Sequence, residues 1–424
     1  MTYKVGIIGL GYVGLQLAVE FGKKINTIGI DKSVDKINNL KKDIDATQEI
    51  SKSKLKSAKF LSYTNEFKEL KNCKYIIVAV PTPISKKKIP DLTLLKMACK
   101  SIGRYIKKNS IIIFESTVYP GTTEDICVPL IEKTSQLKWK QDFHVGYSPE
   151  RINPGDKTKT LCNIDKVVSG DTNSTLKKIG KLYSKVVNKK ISYTSSIKVA
   201  EMSKVLENTQ RDLNIALMNE VAIICNKLKL NTNDVIDAAK SKWNFIPFEP
   251  GLVGGHCIGV DPYYLTYKAQ KIGYNPKVIL SGRKINDMMP RYVSSQIKKI
   301  AKQPNNKKIN ILGITFKENC ADIRNTKVYD IYKNLAKIGF DIRVHDPIAN
   351  ISDVKSLLKI DLVSWEKLHE DAHILLLAVK HDYYNKLDFT KYKSIIQNDG
   401  KIFDIKSILS KNKVKKLGLE YFNL

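Results

Sequence analysis

The sequence predicts an α/β chain: two doubly wound parallel-sheet domains joined by a helical middle that holds one long central helix. Three observations carry this reading. In the first and last thirds of the chain, short apolar runs alternate with charged segments of helical period, the signature of parallel strands joined by crossover helices. Between them, Ile197 to Leu230 contains neither proline nor glycine. No apolar run approaches the ~18 residues of a membrane span; Tyr75–Val80 and Ile374–Val379 are typical.

Strand candidates in the first third are Lys4–Ile8, Thr27–Ile30, Lys74–Val80, Ser110–Phe114 and Phe143–Gly146. In the middle, Met202, Leu206, Leu213, Leu217, Val221 and Ile224 recur at helical spacing, which predicts a rod on the order of 50 Å long. Such a rod is too long for one small domain and is expected to link domains or to pack against a second subunit. Pro247–Pro262, rich in glycine and proline, reads as loop, and Lys302–Lys307 as a linker. A second strand series follows at Ile309–Thr315, Phe340–His345, His373–Val379 and Lys401–Ile405. The expected domains are 1–194, 195–302 and 303–424.

Composition narrows the classes. The 424 residues include 72 Lys+Arg and 42 Asp+Glu, a formal net charge of +30, with 42% hydrophobic residues. That hydrophobic content argues against disorder. The charge invites a nucleic-acid reading, but only seven of the 72 basic residues are arginine. The lysines fall in twos and threes, such as Lys86-Lys87-Lys88, without interleaved aromatics, and lysine lacks the planar fork that reads bases. A solvated lysine surface is the expectation, with neither nucleic acid nor membrane as partner. Seven scattered cysteines give no disulfide framework and no paired metal spacing. The chain runs from Met1 straight into a strand-like pattern, without a signal-peptide pattern. A cytoplasmic protein is expected.

Gly9-Leu-Gly11-Tyr12-Val13-Gly14 follows the first strand and opens a helical segment, and Asp31 ends the next strand 22 residues after Gly9. Strand, glycines, helix and carboxylate together form the Rossmann dinucleotide fingerprint. The glycines let backbone N–H groups approach a pyrophosphate. Asp31 suits a ribose 2′-hydroxyl and repels a 2′-phosphate, which favours NAD over NADP. The last domain lacks this fingerprint. After its first strand stands Lys317, open to two readings: a surface lysine, or a phosphate contact at the carboxyl end of the sheet.

Lys204, Asn208 and Arg211 share one face of the long helix. They read either as a solvent stripe or as a set matched to an oxygen-rich anion. The richest stretch is Gly251-Leu-Val-Gly254-Gly255-His256-Cys257-Ile-Gly259-Val-Asp261-Pro262. A loop cysteine among glycines, with a carboxylate four residues on, is a nucleophile candidate. His256 and Cys257 are poor metal partners because adjacent side chains diverge and further ligands are not evident; His256 reads equally as a packing residue.

Together these residues resemble the nucleotide-sugar 6-dehydrogenases, the UDP-glucose and UDP-N-acetylhexosamine dehydrogenases. The likeness also covers Val80-Pro81-Thr82-Pro83, Glu115-Ser116-Thr117-Val118, Ser148-Pro149-Glu150-Arg151-Ile152 and Phe316-Lys317 with Asp322-Ile-Arg324. The cysteine loop looks most like the branch that oxidises UDP-N-acetylglucosamine or UDP-N-acetylgalactosamine for bacterial surface polysaccharides such as capsule and O-antigen. UDP-glucose and UDP-N-acetylmannosamine are the alternatives.

The resemblance implies a four-electron oxidation of the sugar C6 alcohol by NAD⁺, held between its two stages on Cys257 as thiohemiacetal and then thioester, which water hydrolyses. Lys204 would polarise the oxyanions, and Asp261 with Asn208 would position water or relay protons. Glu150 is implied as base or water-orienting group, with Thr117 supporting that water. For NAD, the resemblance implies Gly9, Gly11, Tyr12, Val13, Gly14, Asp31 and Lys36, then Thr82, Ser116, Thr117 and Arg324. For the UDP-sugar it implies Glu150, Arg151, Ile152, Lys204, Asn208 and Arg211, then the Gly251–Gly254 loop, Phe316, Lys317 and Lys406. It also implies a homodimer or a larger homo-oligomer. One departure stands out: Glu249 places a carboxylate where close relatives tend to carry a basic residue, which bears on the sugar and not on the reaction class. From a different class, a basic polyanion-binding protein using NAD as a sensor has no need of the cysteine loop.

Overall fold

The computed structural model describes residues 4–47, 49–152, 160–303 and 305–424. Residues 1–3 of the amino-terminal run and residue 304 of the expected linker lie outside them. The chain forms two compact units, Met1–Glu207 with Tyr263–Asn275, and Asn208–Pro262 with Pro276–Leu424.

The first unit is built on β1 (Val5–Ile8), β2 (Thr27–Ile30), β3 (Leu61–Thr64), β4 (Tyr75–Val78), β5 (Ser110–Phe114) and β6 (Phe143–Tyr147). They form one parallel sheet in the order β3-β2-β1-β4-β5-β6. This is the Rossmann strand order, which reverses beside β1. All four β1 residues are buried, as expected of a parallel sheet covered on both faces. The helix Gly14–Gly22 buries Leu15, Leu17, Ala18, Val19 and Phe21. The short strands β7 (Lys166–Val168) and β8 (Ile191–Tyr193) pair separately.

In the second unit, β9 (Lys308–Leu312), β10 (Asp341–His345), β11 (Ile374–Leu377), β12 (Lys401–Asp404) and β13 (Glu420–Asn423) run parallel in the order β10-β9-β11-β12-β13. The order reverses between β9 and β11, so the crevice at their carboxyl ends opens beside Gly313–Lys317. The apolar core includes Ile309, Ile311, Leu335 and Leu376.

The nine expected strands are present, several shortened at their ends. The edge strands β3 and β13 and the pair β7/β8 escaped the sequence because they are short and only partly apolar. The long helix runs Ile197–Leu228, 32 residues, and much of the apolar stripe that reveals it faces outward. Of the apolar positions that define its period, Met202, Leu206, Leu217 and Ile224 are exposed, while Glu201, Lys204, Thr209, Asp212 and Asn219 are buried. A second long helix, Lys277–Ala301, contains Gly282 and Pro290. Gly282 lets the two helices approach closely, since a Cβ there would lie 2.4 Å from the Leu213 side chain.

Candidate functional site

The dinucleotide candidates gather at the carboxyl end of β1. Gly9 turns the chain at φ +90°, and a Cβ on Gly14 would stand 1.8 Å from the Gly9 carbonyl oxygen. Both positions therefore demand glycine, one for its left-handed backbone and one for close packing. A Cβ on Gly11 would meet nothing within 4 Å, leaving room for a ligand over the turn. The helix that follows has no side-chain cap, which suits an anion at its first turn.

Asp31, just past β2, is locked in place. Its Oδ2 accepts from Leu10 N at 2.9 Å and from Lys36 Nζ at 2.6 Å, and Oδ1 accepts from Ser33 N at 3.0 Å. Burial opposes its charge, but Lys36 and the two N–H groups prevail and hold the carboxyl below its ordinary range. The Lys36 ammonium is thus paired with Asp31. Farther along the sheet edge, Thr82 Oγ1 donates to Thr117 O at 2.7 Å and Ser116 Oγ to Val80 O at 2.7 Å. These bonds tie the loops after β4 and β5 together. Tyr264 OH adds a bond to Thr82 O at 2.7 Å. The glycine cradle, the room above Gly11 and the ionised Asp31 fit NAD.

In the same unit Glu150 is buried, and its Oε1 accepts from Arg151 N at 2.6 Å and from Ile152 N at 2.7 Å. Its Oε2 faces Lys166 Nζ at 3.3 Å. The Arg151 guanidinium is ion-paired with Glu207, with Nε 3.2 Å from Oε2. Lys204 is buried on the long helix.

The second unit brings together Asn208, Asp261 and Cys257. The Cys257 carbonyl accepts from Val260 N at 3.0 Å and from Asp261 N at 2.8 Å, closing the turn that leads into the helix Asp261–Lys271. The Asn208 amide donates to the Asp261 carboxylate. Cys257 itself is half-buried.

The glycine loop is seated on Phe316. A Cβ on Gly255 (φ +79°) would lie 2.6 Å from the Phe316 ring, and Asn325 Nδ2 donates to Gly255 O at 3.1 Å. Gly251 exchanges two hydrogen bonds with the Asn219 amide, at 2.8 and 3.0 Å. The Lys317 ammonium lies 5.7 Å from the Phe316 ring centre. Arg324 Nε bonds both Asp322 oxygens at 3.0 and 2.9 Å, and its guanidinium lies 3.4 Å from His256 Nδ1. Arg211 is exposed.

The carboxylate of Glu249 lies 3.7 Å from Lys406 Nζ, so the unusual acid is neutralised by a neighbour. Both border a cavity of about 210 Å³, with Asn233, Asp237, Lys240 and Lys380. Sequence reasoning missed Lys166 and Asn219. The available signals were a lysine opening the short run Lys166-Val167-Val168 and an amide on the long helix.

Three domain profiles of the UDP-glucose/GDP-mannose dehydrogenase family match the chain: the NAD binding domain over residues 3–187, the central domain over 198–288 and the UDP binding domain over 310–411. The chain is 48% identical to Protein CapL of Staphylococcus aureus over 98% of both chains. It is 48% identical to the UDP-N-acetyl-D-glucosamine 6-dehydrogenase of Pseudomonas aeruginosa, over 97% of this chain and 98% of that one. Among solved structures, the UDP-D-ManNAc dehydrogenase of Pyrococcus horikoshii superposes with a TM-score of 0.90 at 27% identity, covering 99% of this chain and 98% of that one. The chain therefore belongs to the UDP-glucose/GDP-mannose dehydrogenase family and is an NAD-binding nucleotide-sugar dehydrogenase.

Proposed function

We propose that the chain oxidises the C6 alcohol of a UDP-N-acetylhexosamine, UDP-N-acetylglucosamine foremost, to the uronic acid used in a bacterial surface polysaccharide. Near-half identity to UDP-N-acetyl-D-glucosamine 6-dehydrogenases over nearly the whole chain supports the sugar; relatives named for UDP-N-acetyl-D-mannosamine are 32–33% identical. The observation that carries the reaction class is Cys257 in the turn before the helix Asp261–Lys271, with Asp261 bonded to Asn208.

NAD⁺, when bound, accepts a hydride in each of the two oxidations. Gly9, Gly11, Tyr12, Val13, Gly14 and Asp31 hold it, with Lys36, Thr82, Ser116, Thr117 and Arg324 as further contacts. Once C6 is an aldehyde, the Cys257 thiolate adds to it and keeps it as a thiohemiacetal. After the second oxidation C6 is a thioester, and attack by water expels the thiolate and releases the carboxylate. Lys204 neutralises charge growing on the C6 oxygen. Asn208 and Asp261 act as one unit, the amide fixing the carboxylate that takes or returns a proton. Glu150, supported by Thr117, orients the attacking water. Arg151, Ile152, Arg211, Gly251, Gly254, Phe316, Lys317 and Lys406 hold the UDP-sugar. The division 1–194, 195–302 and 303–424 assigns NAD, catalytic loop and UDP-sugar to successive segments. We further propose a cytoplasmic homodimer, supported by the apolar face that the long helix leaves exposed.

A panel of UDP-sugars compared by kcat/KM, with NADH counted per sugar, tests the reading. The expected result is a preference for UDP-N-acetylglucosamine or UDP-N-acetylgalactosamine and two NADH per sugar, without free aldehyde. One NADH per turnover with an accumulating aldehyde overturns the mechanism, and a preference for UDP-glucose overturns the sugar.

A further inference from the structure

We propose that Lys166 is a positioning residue for the reaction, the centre of a buried Glu115–Lys166–Glu150 chain that fixes the Glu150 carboxylate toward its water. The proposal rests on the role given to Glu150 above.

Glu115 directly follows β5, and Glu150 stands three residues past β6, a neighbouring strand. Both are therefore at the carboxyl ends of a parallel sheet, where such folds bind ligands. Lys166 opens β7 and reaches both. Its Nζ donates to Glu115 Oε2 at 2.7 Å, to Pro149 O at 3.2 Å and to Glu150 Oε2 at 3.3 Å. Three acceptors meet the three N–H bonds of an ammonium, so the group is fully used. Tyr183 OH donates to Glu115 from the other side, and its ring centre lies 5.2 Å from Lys166 Nζ. With Oε1 of Glu150 taken by Arg151 N and Ile152 N, both carboxylate oxygens of Glu150 are held. The Lys166 side chain is 1% exposed and those of Glu115 and Glu150 are 0% and 5%.

Buried ion clusters contribute little stability compared with well-packed apolar residues of similar volume. A strand position that needed only filling has no use for a lysine between two carboxylates. Burial, opposed by Lys166, raises the Glu115 carboxyl to about 7. Its charge state, and with it the setting of Glu150, depends on the Lys166 ammonium.

The test compares Lys166→Met, Lys166→Arg, Glu115→Gln and Glu150→Gln with the wild-type full-length protein. Folding is checked by circular dichroism and NAD binding by calorimetry. Lys166→Met is expected to lower kcat tenfold or more while KM for the UDP-sugar stays within about threefold. Loss of the cation makes the Glu115 carboxyl hold its proton to higher pH, so the acid limb of the kcat profile should rise by about one pH unit. Lys166→Arg should restore most of kcat. Glu115→Gln removes that titrating carboxyl and should move the limb to lower pH.

A folded, NAD-binding Lys166→Met with wild-type kcat and pH profile overturns the proposal. If Lys166→Met does not fold, an unshifted limb in Glu115→Gln overturns it equally. Full activity in Glu150→Gln refutes the role of Glu150 itself, whereas an impaired Glu150→Gln beside an unaffected Lys166→Met refutes only the role of Lys166.

Discussion

Three donors converge on Asp31 and keep its carboxyl below the ordinary range, so a carboxylate is ready for ribose hydroxyls and repels a 2′-phosphate. Cys257 is demanding in a different way, because its proposed role requires a nucleophile that also leaves. A serine in its place keeps the size of the half-buried side chain but is a far weaker nucleophile at neutral pH. Cys257→Ser should fold normally, bind NAD, and lose overall oxidation by about a hundredfold or more. Rapid-quench product analysis with NADH counting checks this, and two NADH per sugar at the wild-type rate would remove Cys257 from the mechanism. Asp31, Cys257, Asn208 and Asp261 were legible because each sits in a local motif or at a helical spacing. Lys166 was not, because its carboxylate partners lie 51 and 16 positions away and nothing local marks them.

At the scale of the element, the long helix is instructive because its period marks the helix without saying what each face meets. The periodic leucines proved that a helix was there, but periodicity names a stripe without saying what it faces. The buried side mixes apolar residues such as Val205 and Met218 with polar ones that reach across to neighbouring segments. Asp212 Oδ1 accepts from Arg283 NH1 at 2.6 Å and from Asn286 Nδ2 at 2.7 Å. Glu201 accepts from Gly121 N at 2.6 Å and from Thr123 N at 2.9 Å, pinning the chain that follows Thr117 and Val118. Burial raises the Glu201 carboxyl to about 7 from 4.5, against the pull of those N–H bonds. The protonated form is thus favoured in the folded state. The stability this contributes is complete below 4.5 and is lost as pH rises through 7. Glu201→Gln cannot titrate, so wild type should lose stability relative to this variant by on the order of 3 kcal/mol between pH 4.5 and 8. Thermal melts of both proteins across that range check it, and a constant difference in Tm would show that Glu201 does not titrate there.

For the whole molecule, the apolar face of that helix and the net charge pull in opposite directions. Val199, Met202, Leu206, Leu217, Ile224 and Leu228 lie 37–63% exposed, more apolar side chain than a single helix ordinarily leaves to water. A second copy would cover this face with its own, in a two-fold contact that uses every residue twice. Against this, each chain brings a formal charge of +30, so two chains repel until counterions screen them. Screening is nearly complete beyond ~8 Å at physiological salt, while the apolar contact is not weakened by salt. Association should therefore tighten between 50 and 500 mM salt, the reverse of an interface held by ion pairs. Leu217→Glu with Ile224→Glu places four charges in the paired interface and should weaken it by about a hundredfold or more. Light scattering and sedimentation at micromolar protein check both outcomes. A wild-type monomer at 500 mM salt, or a dimer indifferent to the two glutamates, would mean that this face is covered by something other than its own copy.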